Sequence, residues 1–246
     1  MVALLQLDAP SGRMTIKAIF FDAAGTLMKP NRSVGESYAA FAAAYGVNLA
    51  PAELSRRFRV CFGNAPRLAF PGASAEALVN LERGWWKRLV AEIFEPCGPF
   101  EKFDDLFDEL FAYYASPGAW SLYPEVLETL AALQSLELRS SVISNFDSRL
   151  VRILDGLGVG DFFDQIFVST RVGYAKPDPQ IFQAALRHHG LAPEESLHIG
   201  DSEINDLRGA NNAGLRAILI DRDGPADSVN DGQRVTSLRS ILDIVR

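Results

Sequence analysis

The chain has 246 residues, which is enough for one large domain or two small ones at about 150 residues per domain. Hydrophobic residues make up 48% of it and charged residues 22%, as in an ordinary globular protein, and the formal net charge is −7. Because nucleic acids and anionic membrane surfaces bind net basic faces, this charge argues against both as partners. A local basic pocket for a small anion remains compatible with it.

The cellular compartment is indicated by what the sequence lacks. Cys61 and Cys97 are its only cysteines, too few for a disulfide framework, so a reducing compartment is expected. No apolar run reaches the ~18 residues of a membrane span, and the first residues lack the basic region of a signal peptide. We therefore expect a cytoplasmic protein in which residues 1–13 form an extension and Met14 is the natural start.

Strand and helix signals alternate in the sheet-forming parts of the chain. Residues 16–21 form a short apolar run that is typical of a buried parallel strand and stops at Asp22. After residue 118, strands are predicted at 139–144, 165–169, 196–200 and 216–220, with helices at 124–136, at 148–157 and from Asp178. Repeated βα units of this size predict an α/β protein whose parallel sheet is covered on both faces.

Between residues 30 and 118 the pattern is helical, and strand-like runs are scarce. Helices are predicted at 33–45, 51–62 and 74–94. A fourth is indicated by one apolar stripe with helical spacing, formed by Phe103, Leu106, Phe107, Leu110, Phe111 and Tyr114. This segment is therefore predicted to be an all-helical insertion between the first strand and the rest of the sheet.

Polar side chains follow four predicted strands where each strand ends. They are Asp22 after the first, Ser144 and Asn145 at the second, Lys176 in the loop after the third, and Asp201 after the fourth, with Asp206 five residues on. In an open parallel sheet, ligands bind beyond the carboxyl ends of the strands. Carboxylates hold a hard cation, a cation and a lysine screen phosphate charge, and a carboxylate can attack phosphorus. The set indicates phosphate chemistry with Mg²⁺.

Each of these residues alone also fits an ordinary structural role. Asp22 ahead of Gly25 is compatible with turn chemistry, a lone Lys176 with a solvated loop charge, and Asp147 with the cap of the next helix. His198, within a strand, is expected to be a core residue. The functional interpretation depends on all four strand ends lying in order at one edge of one sheet.

Four motifs resemble those of the haloacid dehalogenase-like (HAD) superfamily of hydrolases, over residues 16–246. They are Phe-Phe-Asp22-Ala-Ala-Gly-Thr26-Leu, Val-Ile-Ser144-Asn145-Phe-Asp, Tyr-Ala-Lys176-Pro-Asp-Pro and His-Ile-Gly-Asp201-Ser-Glu-Ile-Asn-Asp206. The helical insertion falls where subfamily I of this superfamily places its C1 cap. The resemblance implies a Rossmann-like α/β core at residues 14–29 and 119–246, with an all-helical cap at residues 30–118.

The resemblance also implies roles in catalysis and phosphate binding. Asp22 would be the nucleophile that forms an aspartyl-phosphate. Ser144 would hydrogen-bond the phosphoryl group, with Thr26 and Asn145 beside it. Lys176 would stabilise the negative charge of both nucleophile and phosphate. The implied partner is a small phosphorylated molecule, bound by a monomer or homodimer.

A Mg²⁺ site is implied at the same place. Asp201 would bind the ion together with Asp22 and the backbone carbonyl of Ala24. Asp206 would support that set of ligands through Lys176 or water. The ion would provide charge stabilisation, which phosphoryl transfer needs more than covalent help.

Ala24 departs from the pattern of most phosphatases in the superfamily, which carry a second Asp there as general acid and base. The first interpretation is a phosphatase without that acid, as in a branch of C1-capped proteins that shares the Trp85-Trp86 pair. The second is a phosphonatase, although such enzymes use a lysine early in the cap and none lies between Lys29 and Lys87.

Two further interpretations of Ala24 remain. A 2-haloacid dehalogenase would carry Tyr at position 24 and use no metal, whereas Asp201 and Asp206 suggest a Mg²⁺ site. A HAD-fold binding protein would have lost its catalytic acid, although Asp22 and Lys176 are retained. The sequence favours a Mg²⁺-dependent phosphatase.

Overall fold

The protein is described by a computed structural model over residues 16–98, 101–224 and 234–245, so the predicted extension at residues 1–13 lies outside the described residues. The strands are β1 (Ala18–Phe21), β2 (Met28–Pro30), β3 (Trp120–Leu122), β4 (Arg139–Ser144), β5 (Gln165–Val168), β6 (Ser196–Gly200), β7 (Arg216–Ile220) and β8 (Arg234–Val235). The first helices are α1 (Val34–Ala43), α2 (Pro51–Asn64), α3 (Ala75–Phe94) and α4 (Phe103–Ala115). The later helices are α5 (Val126–Ser135), α6 (Arg149–Gly156), α7 (Ser169–Val172), α8 (Pro179–His189), α9 (Gly209–Asn212) and α10 (Ile241–Val245), and a π-helical turn covers Glu203–Arg208.

Six strands form one parallel sheet in the order β5-β4-β1-β6-β7-β8. β1 lies at its centre, and all four of its residues are fully buried. Ile19 and Phe21 belong to the hydrophobic core shared with α5, α6 and α10, whereas Ala18 and Phe20 belong to the core shared with α8 and α9. The alternation of a strand thus places one core on each face of the sheet. The predicted α/β architecture is confirmed.

Helices α1–α4 pack around a hydrophobic core of their own. Its largest buried side chains include Phe94, Phe107, Leu54, Ile93 and Leu106. α1 begins with a capping box between Ser33 and Glu36, in which each side chain accepts from the other's backbone N–H. We call residues 34–115, which contain these four helices, the helical segment.

The two ends of the helical segment leave the sheet side by side. β2 and β3 pair as antiparallel strands, with Met28 opposite Leu122 and Pro30 opposite Trp120. The Asn31 side chain adds a bond from its amide to the carbonyl of Gly118, 2.8 Å away. The sequence does not reveal this pair, because strands of three residues are too short for a period-two pattern.

None of the described helices is long and apolar enough to cross a membrane. Cys61 is buried in the helical segment, whereas Cys97 is exposed. No disulfide joins them.

Candidate active site

Three neighbouring strands bring their carboxyl ends to one point of the sheet. Asp22 follows β1 directly, Asp201 follows β6, and Ser144 is the last residue of β4. β1 pairs with both β4 and β6, so the three residues meet as the sheet order requires. Ser144 Oγ donates to Asp22 Oδ1 at 3.1 Å, and both side chains are buried.

Lys176 reaches this point from the loop between α7 and α8. Its Nζ lies 2.7 Å from Asp22 Oδ1 and 2.5 Å from Asp206 Oδ1, and its side chain is 1% exposed. Asn145 fixes the backbone of this lysine, donating from Nδ2 to Lys176 O at 2.8 Å and accepting from Lys176 N at 2.7 Å. The Asn145 amide, predicted to bind phosphate, is thus engaged in positioning the lysine.

Asp22, Asp201 and Asp206 form an acidic cluster whose carboxylate oxygens can all lie within 4.8 Å of one another. Two glycines leave room for these carboxylates. A Cβ on Gly25, which has a φ of +92°, would lie 2.2 Å from Asp201 Oδ2, and a Cβ on Gly200 would lie 2.1 Å from Asp206 Cγ. A larger residue at either position would displace a member of the cluster.

Asp206 is held by contacts on both of its oxygens. His198 Nε2 lies 2.8 Å from Asp206 Oδ1, beside Lys176 Nζ, and the Ser202 N–H donates to Oδ2 at 3.0 Å. Asp206 lies on the π-helical turn, a distortion that is frequent at functional sites. His198 is buried in β6 as expected, but it also orients a carboxylate of the cluster, which its strand position did not reveal.

The electrostatics of the cluster show a surplus of negative charge. Burial raises the pKa of Asp22, although Lys176 opposes the effect. Asp201 is more exposed than the other two, but partial loss of water around its carboxyl and the negative charges of Asp22 and Asp206 raise its pKa to about 7. Asp206 is also buried, but Lys176 and His198 outweigh this and hold its pKa below the ordinary value.

Three carboxylates around one ammonium group suit a bound cation. Their oxygens are the hard donors that Mg²⁺ prefers, and Gly25 keeps the space beside Asp201 free of side-chain atoms. The residues present therefore fit the implied ion.

The turn after Asp22 carries two further residues of the predicted site. Ala24 is partly buried and forms a backbone bridge with Met28. Thr26 is fully buried, and its Oγ1 has no hydrogen-bond partner among the described residues. Nothing at position 24 can move a proton, because a methyl group is neither an acid nor a base.

Helix α3 of the helical segment is bound to the loops at this edge by polar contacts that are buried or partly buried. Glu82 Oε1 accepts from Ser148 Oγ at 2.8 Å and from Thr170 Oγ1 at 2.6 Å. Trp86 Nε1 donates to Asp147 Oδ2 at 2.6 Å. Asp147, expected only to cap the next helix, accepts from the Arg149 N–H at 3.0 Å and also holds the helical segment. Glu82 was missed because nothing local marks it.

An apolar cavity of about 80 Å³ lies where the helical segment meets the sheet. Its lining includes Tyr38, Trp86 and Phe111 from the helices, and Trp120 and Phe146 from the sheet side. Trp86 therefore lines a cavity as well as packing in the helical core.

Known proteins resemble this chain both in sequence and in structure. A protein of Mus musculus, haloacid dehalogenase-like hydrolase domain-containing protein 3, is 33% identical over 218 residues, which cover 88% of this chain and 86% of that protein. A phosphoserine phosphatase of Thermus thermophilus is 34% identical over 180 residues, 72% of this chain and 70% of that protein. The putative HAD-hydrolase YfnB of Bacillus subtilis, solved bound to magnesium, has a TM-score of 0.72 at 18% identity and covers 94% of this chain and 99% of that one.

The structural likeness supports the fold, and the sequence likeness shows the family. The haloacid dehalogenase-like hydrolase family matches residues 16–214, a range that includes Lys176 and the whole acidic cluster of Asp22, Asp201 and Asp206. This chain belongs to the haloacid dehalogenase-like hydrolase family.

Proposed function

We propose that the protein is a Mg²⁺-dependent phosphatase that acts on a small phosphorylated metabolite through an aspartyl-phosphate on Asp22. The observation that carries the proposal is the setting of Asp22, whose Oδ1 contacts both Lys176 and Ser144 next to two further carboxylates. A phosphatase among the relatives of the chain supports it.

In the first half-reaction, a carboxylate oxygen of Asp22 attacks the phosphorus, and the bond to the leaving oxygen breaks with its electron pair. Lys176 offsets negative charge on the attacking carboxylate and on the phosphoryl oxygens. Ser144 orients Asp22 before attack and can donate to a phosphoryl oxygen afterwards. Because Ala24 carries no acid, the leaving oxygen takes its proton from solvent.

In the second half-reaction, water attacks the phosphorus of the aspartyl-phosphate and the bond to the Asp22 oxygen breaks. Inorganic phosphate leaves, and the carboxylate is restored. The proton of the attacking water goes to phosphate or solvent, because position 24 supplies no base. This step is therefore slow relative to that of an enzyme with a second Asp.

Mg²⁺, when bound, supplies positive charge that screens the phosphate and the carboxylates. Asp22, Asp201 and the carbonyl of Ala24 would hold it. Asp206 would support these ligands without binding the ion directly, because its Oδ1 is engaged by Lys176 and His198. The B. subtilis neighbour, which binds magnesium, supports this assignment.

We assign residues 30–118 the role of a cap over a core formed by residues 14–29 and 119–246. β2 and β3, which connect this segment to the core, pair with each other, so both connections lie at one place. The contacts of Glu82 and Trp86 seat it at the edge where Asp22 lies. A seated cap would exclude water from the site and select the substrate.

The alternatives fit the site less well. A phosphonatase needs a lysine early in the cap, whereas Lys87 follows the Trp85-Trp86 pair, with its Nζ 2.8 Å from Asp104 Oδ1, and Lys102 comes later still. A 2-haloacid dehalogenase uses no metal. In such an enzyme no cation would offset the negative charge that raises the pKa of Asp201. A binding protein would not need Lys176 buried against Asp22.

The test is a screen of phosphorylated metabolites for phosphate release, with Mg²⁺ and with a chelator, using the natural protein and Asp22→Asn. The proposal expects release from at least one compound that requires both Mg²⁺ and Asp22. Release that persists in Asp22→Asn would remove the covalent mechanism, and no release from any compound would favour a binding protein.

A further inference from the structure

The turn that carries the nucleophile lacks side-chain anchors of its own. Its N–H groups are used internally, since Gly25 donates to Met28 O at 2.8 Å, and Leu27 and Met28 donate to Ala23 O at 2.8 and 3.0 Å. Gly25 has no side chain, and Thr26 Oγ1 has no partner among the described residues. The carbonyls of Gly25 and Thr26 must therefore find partners outside the turn.

Arg222, in the segment that follows β7, contacts both carbonyls. Its Nε donates to Gly25 O at 3.2 Å, and its Nη2 donates to Thr26 O. Its Nη1 donates to Glu125 Oε1 at 2.7 Å, and its guanidinium carbon lies 3.4 Å from the centre of the Tyr123 ring. The side chain is 13% exposed, so these contacts are largely shielded from water.

The same turn touches the acidic cluster on its other side. Gly25 lies so close to the Asp201 carboxylate that a Cβ would be 2.2 Å from Oδ2. The peptide at Gly25 is thus fixed by Arg222 on one side and faces Asp201 on the other. Any shift of this peptide also moves the neighbouring Ala24 carbonyl relative to Asp22.

We propose that Arg222 is a positioning residue for the reaction: its guanidinium clamps the Gly25–Thr26 backbone and so holds Asp22 and the Ala24 carbonyl in register with Asp201. The kinetic part of this inference rests on the proposed phosphatase function. The clamp itself is a property of the metal-free protein and can be tested without substrate.

The contact pattern requires the shape of arginine as well as its charge. One planar guanidinium makes three hydrogen bonds in different directions and stacks on an aromatic ring, which a lysine ammonium group cannot reproduce. Tyr123 contributes to the same clamp, because its N–H donates to Leu27 O at 3.1 Å. Arg222→Lys should therefore retain the ion pair with Glu125 and lose the paired hydrogen bonds to the carbonyls of Gly25 and Thr26.

The first test is hydrogen exchange of the segment 22–28 in metal-free, substrate-free protein. Arg222→Lys and Arg222→Ala should exchange at least about tenfold faster there, while the rest of the sheet keeps its protection. Arg234→Ala is the matched control, because Arg234 pairs with Asp221 at 2.7 Å at the same edge of the sheet. Unchanged exchange of this segment in both Arg222 variants would overturn the clamp.

The second test measures hydrolysis of para-nitrophenyl phosphate with Mg²⁺, and Mg²⁺ affinity by calorimetry. Misplacing the nucleophile should lower kcat about 10²-fold in Arg222→Lys and Arg222→Ala, with KM changed by less than about threefold. Guanidinium ion at millimolar concentration should restore part of the activity of Arg222→Ala and leave the activity of Arg234→Ala unchanged. Mg²⁺ affinity should fall in the Arg222 variants alone.

The outcomes separate the two proposals. Wild-type kcat in both Arg222 variants would show that the clamp has no role in the reaction, even if exchange increases. No hydrolysis by the natural protein would count against the phosphatase proposal, while exchange and Mg²⁺ affinity would still decide the clamp. A rise in KM without a fall in kcat would also contradict positioning of the nucleophile.

Discussion

Lys176 Nζ lies 2.7 Å from Asp22 Oδ1, although the two residues are 154 positions apart in the chain. The same ammonium group contacts Asp206 Oδ1 at 2.5 Å, so one buried cation serves two carboxylates. Burial lowers the pKa of Lys176, but Asp206 and Asp22 outweigh it and raise the pKa above its ordinary value. The lysine therefore stays charged, so the surroundings of Asp22 are not purely acidic.

Lys176→Met removes this charge while keeping much of the side-chain volume. The variant should lose about 10²–10³-fold in kcat, because charge that develops on phosphate is no longer offset. It should also lose about 3 kcal/mol in the free energy of unfolding, since Asp22 and Asp206 are left buried without their partner. Chemical denaturation and phosphate release measure the two effects. Lys87→Met, which alters an exposed ion pair, should change neither, and equal effects in both variants would contradict the assignment.

Gly25→Ala should disable the acidic cluster. The added Cβ would meet Asp201 Oδ2 at 2.2 Å, and a φ of +92° is unfavourable for alanine. Mg²⁺ affinity, measured by calorimetry, should fall at least about tenfold as Asp201 is displaced. Gly46→Ala is the control, because Gly46 has a φ of +79° and nothing within 4 Å of its Cβ position. A similar loss of affinity in both variants would show that strain, and not contact with Asp201, is responsible.

Mg²⁺ affinity should depend on pH through Asp201. In the folded metal-free protein the pKa of this carboxyl is raised to about 7, well above the ordinary 3.8, so below pH 7 a proton competes with the cation. The dissociation constant should rise about tenfold per pH unit below 7 and level off above it. Calorimetry at several pH values, beside Asp201→Asn, measures this. Equal affinity at about pH 6 and pH 8 in the natural protein would be inconsistent with the raised pKa.

The replacement of an acid by Ala24 predicts a strong dependence on the leaving group. Alkoxides are strong bases that need a proton to depart, and a positioned acid contributes ~10²–10⁴-fold to such a step. Aryl and acyl phosphates should therefore be hydrolysed faster than sugar phosphates. Ala24→Asp should raise kcat/KM for alkyl phosphates more than for aryl phosphates. A flat dependence across a leaving-group series in the natural protein would show that another residue supplies the proton.

The strand-end residues could be predicted from the sequence because the fold is regular there. Asp22, Ser144 and Asp201 each lie at the end of a predicted strand, and a parallel sheet brings such ends together. The local patterns also gave the helices of the segment to within a few residues, since their apolar positions repeat with helical spacing.

The contacts that hold the site together could not be predicted in this way. Arg222 bonds to a residue 197 positions away, and Glu82 to residues 66 and 88 positions away, so no local spacing marks them. Asn145 was assigned to phosphate by position, whereas its amide pairs with a backbone that only the folded loop brings near.

In the proposed mechanism, Asp22 carries the phosphoryl group during turnover. Acid quench of the protein during hydrolysis of an aryl phosphate with Mg²⁺, followed by peptide mass spectrometry, detects this intermediate. Because position 24 offers no base to activate water, the phosphorylated form should accumulate in the natural protein. We expect a phosphoryl group on the peptide that contains Asp22, and none in Asp22→Asn. Phosphate release by the natural protein without a phosphorylated Asp22 peptide, and undiminished in Asp22→Asn, would contradict it.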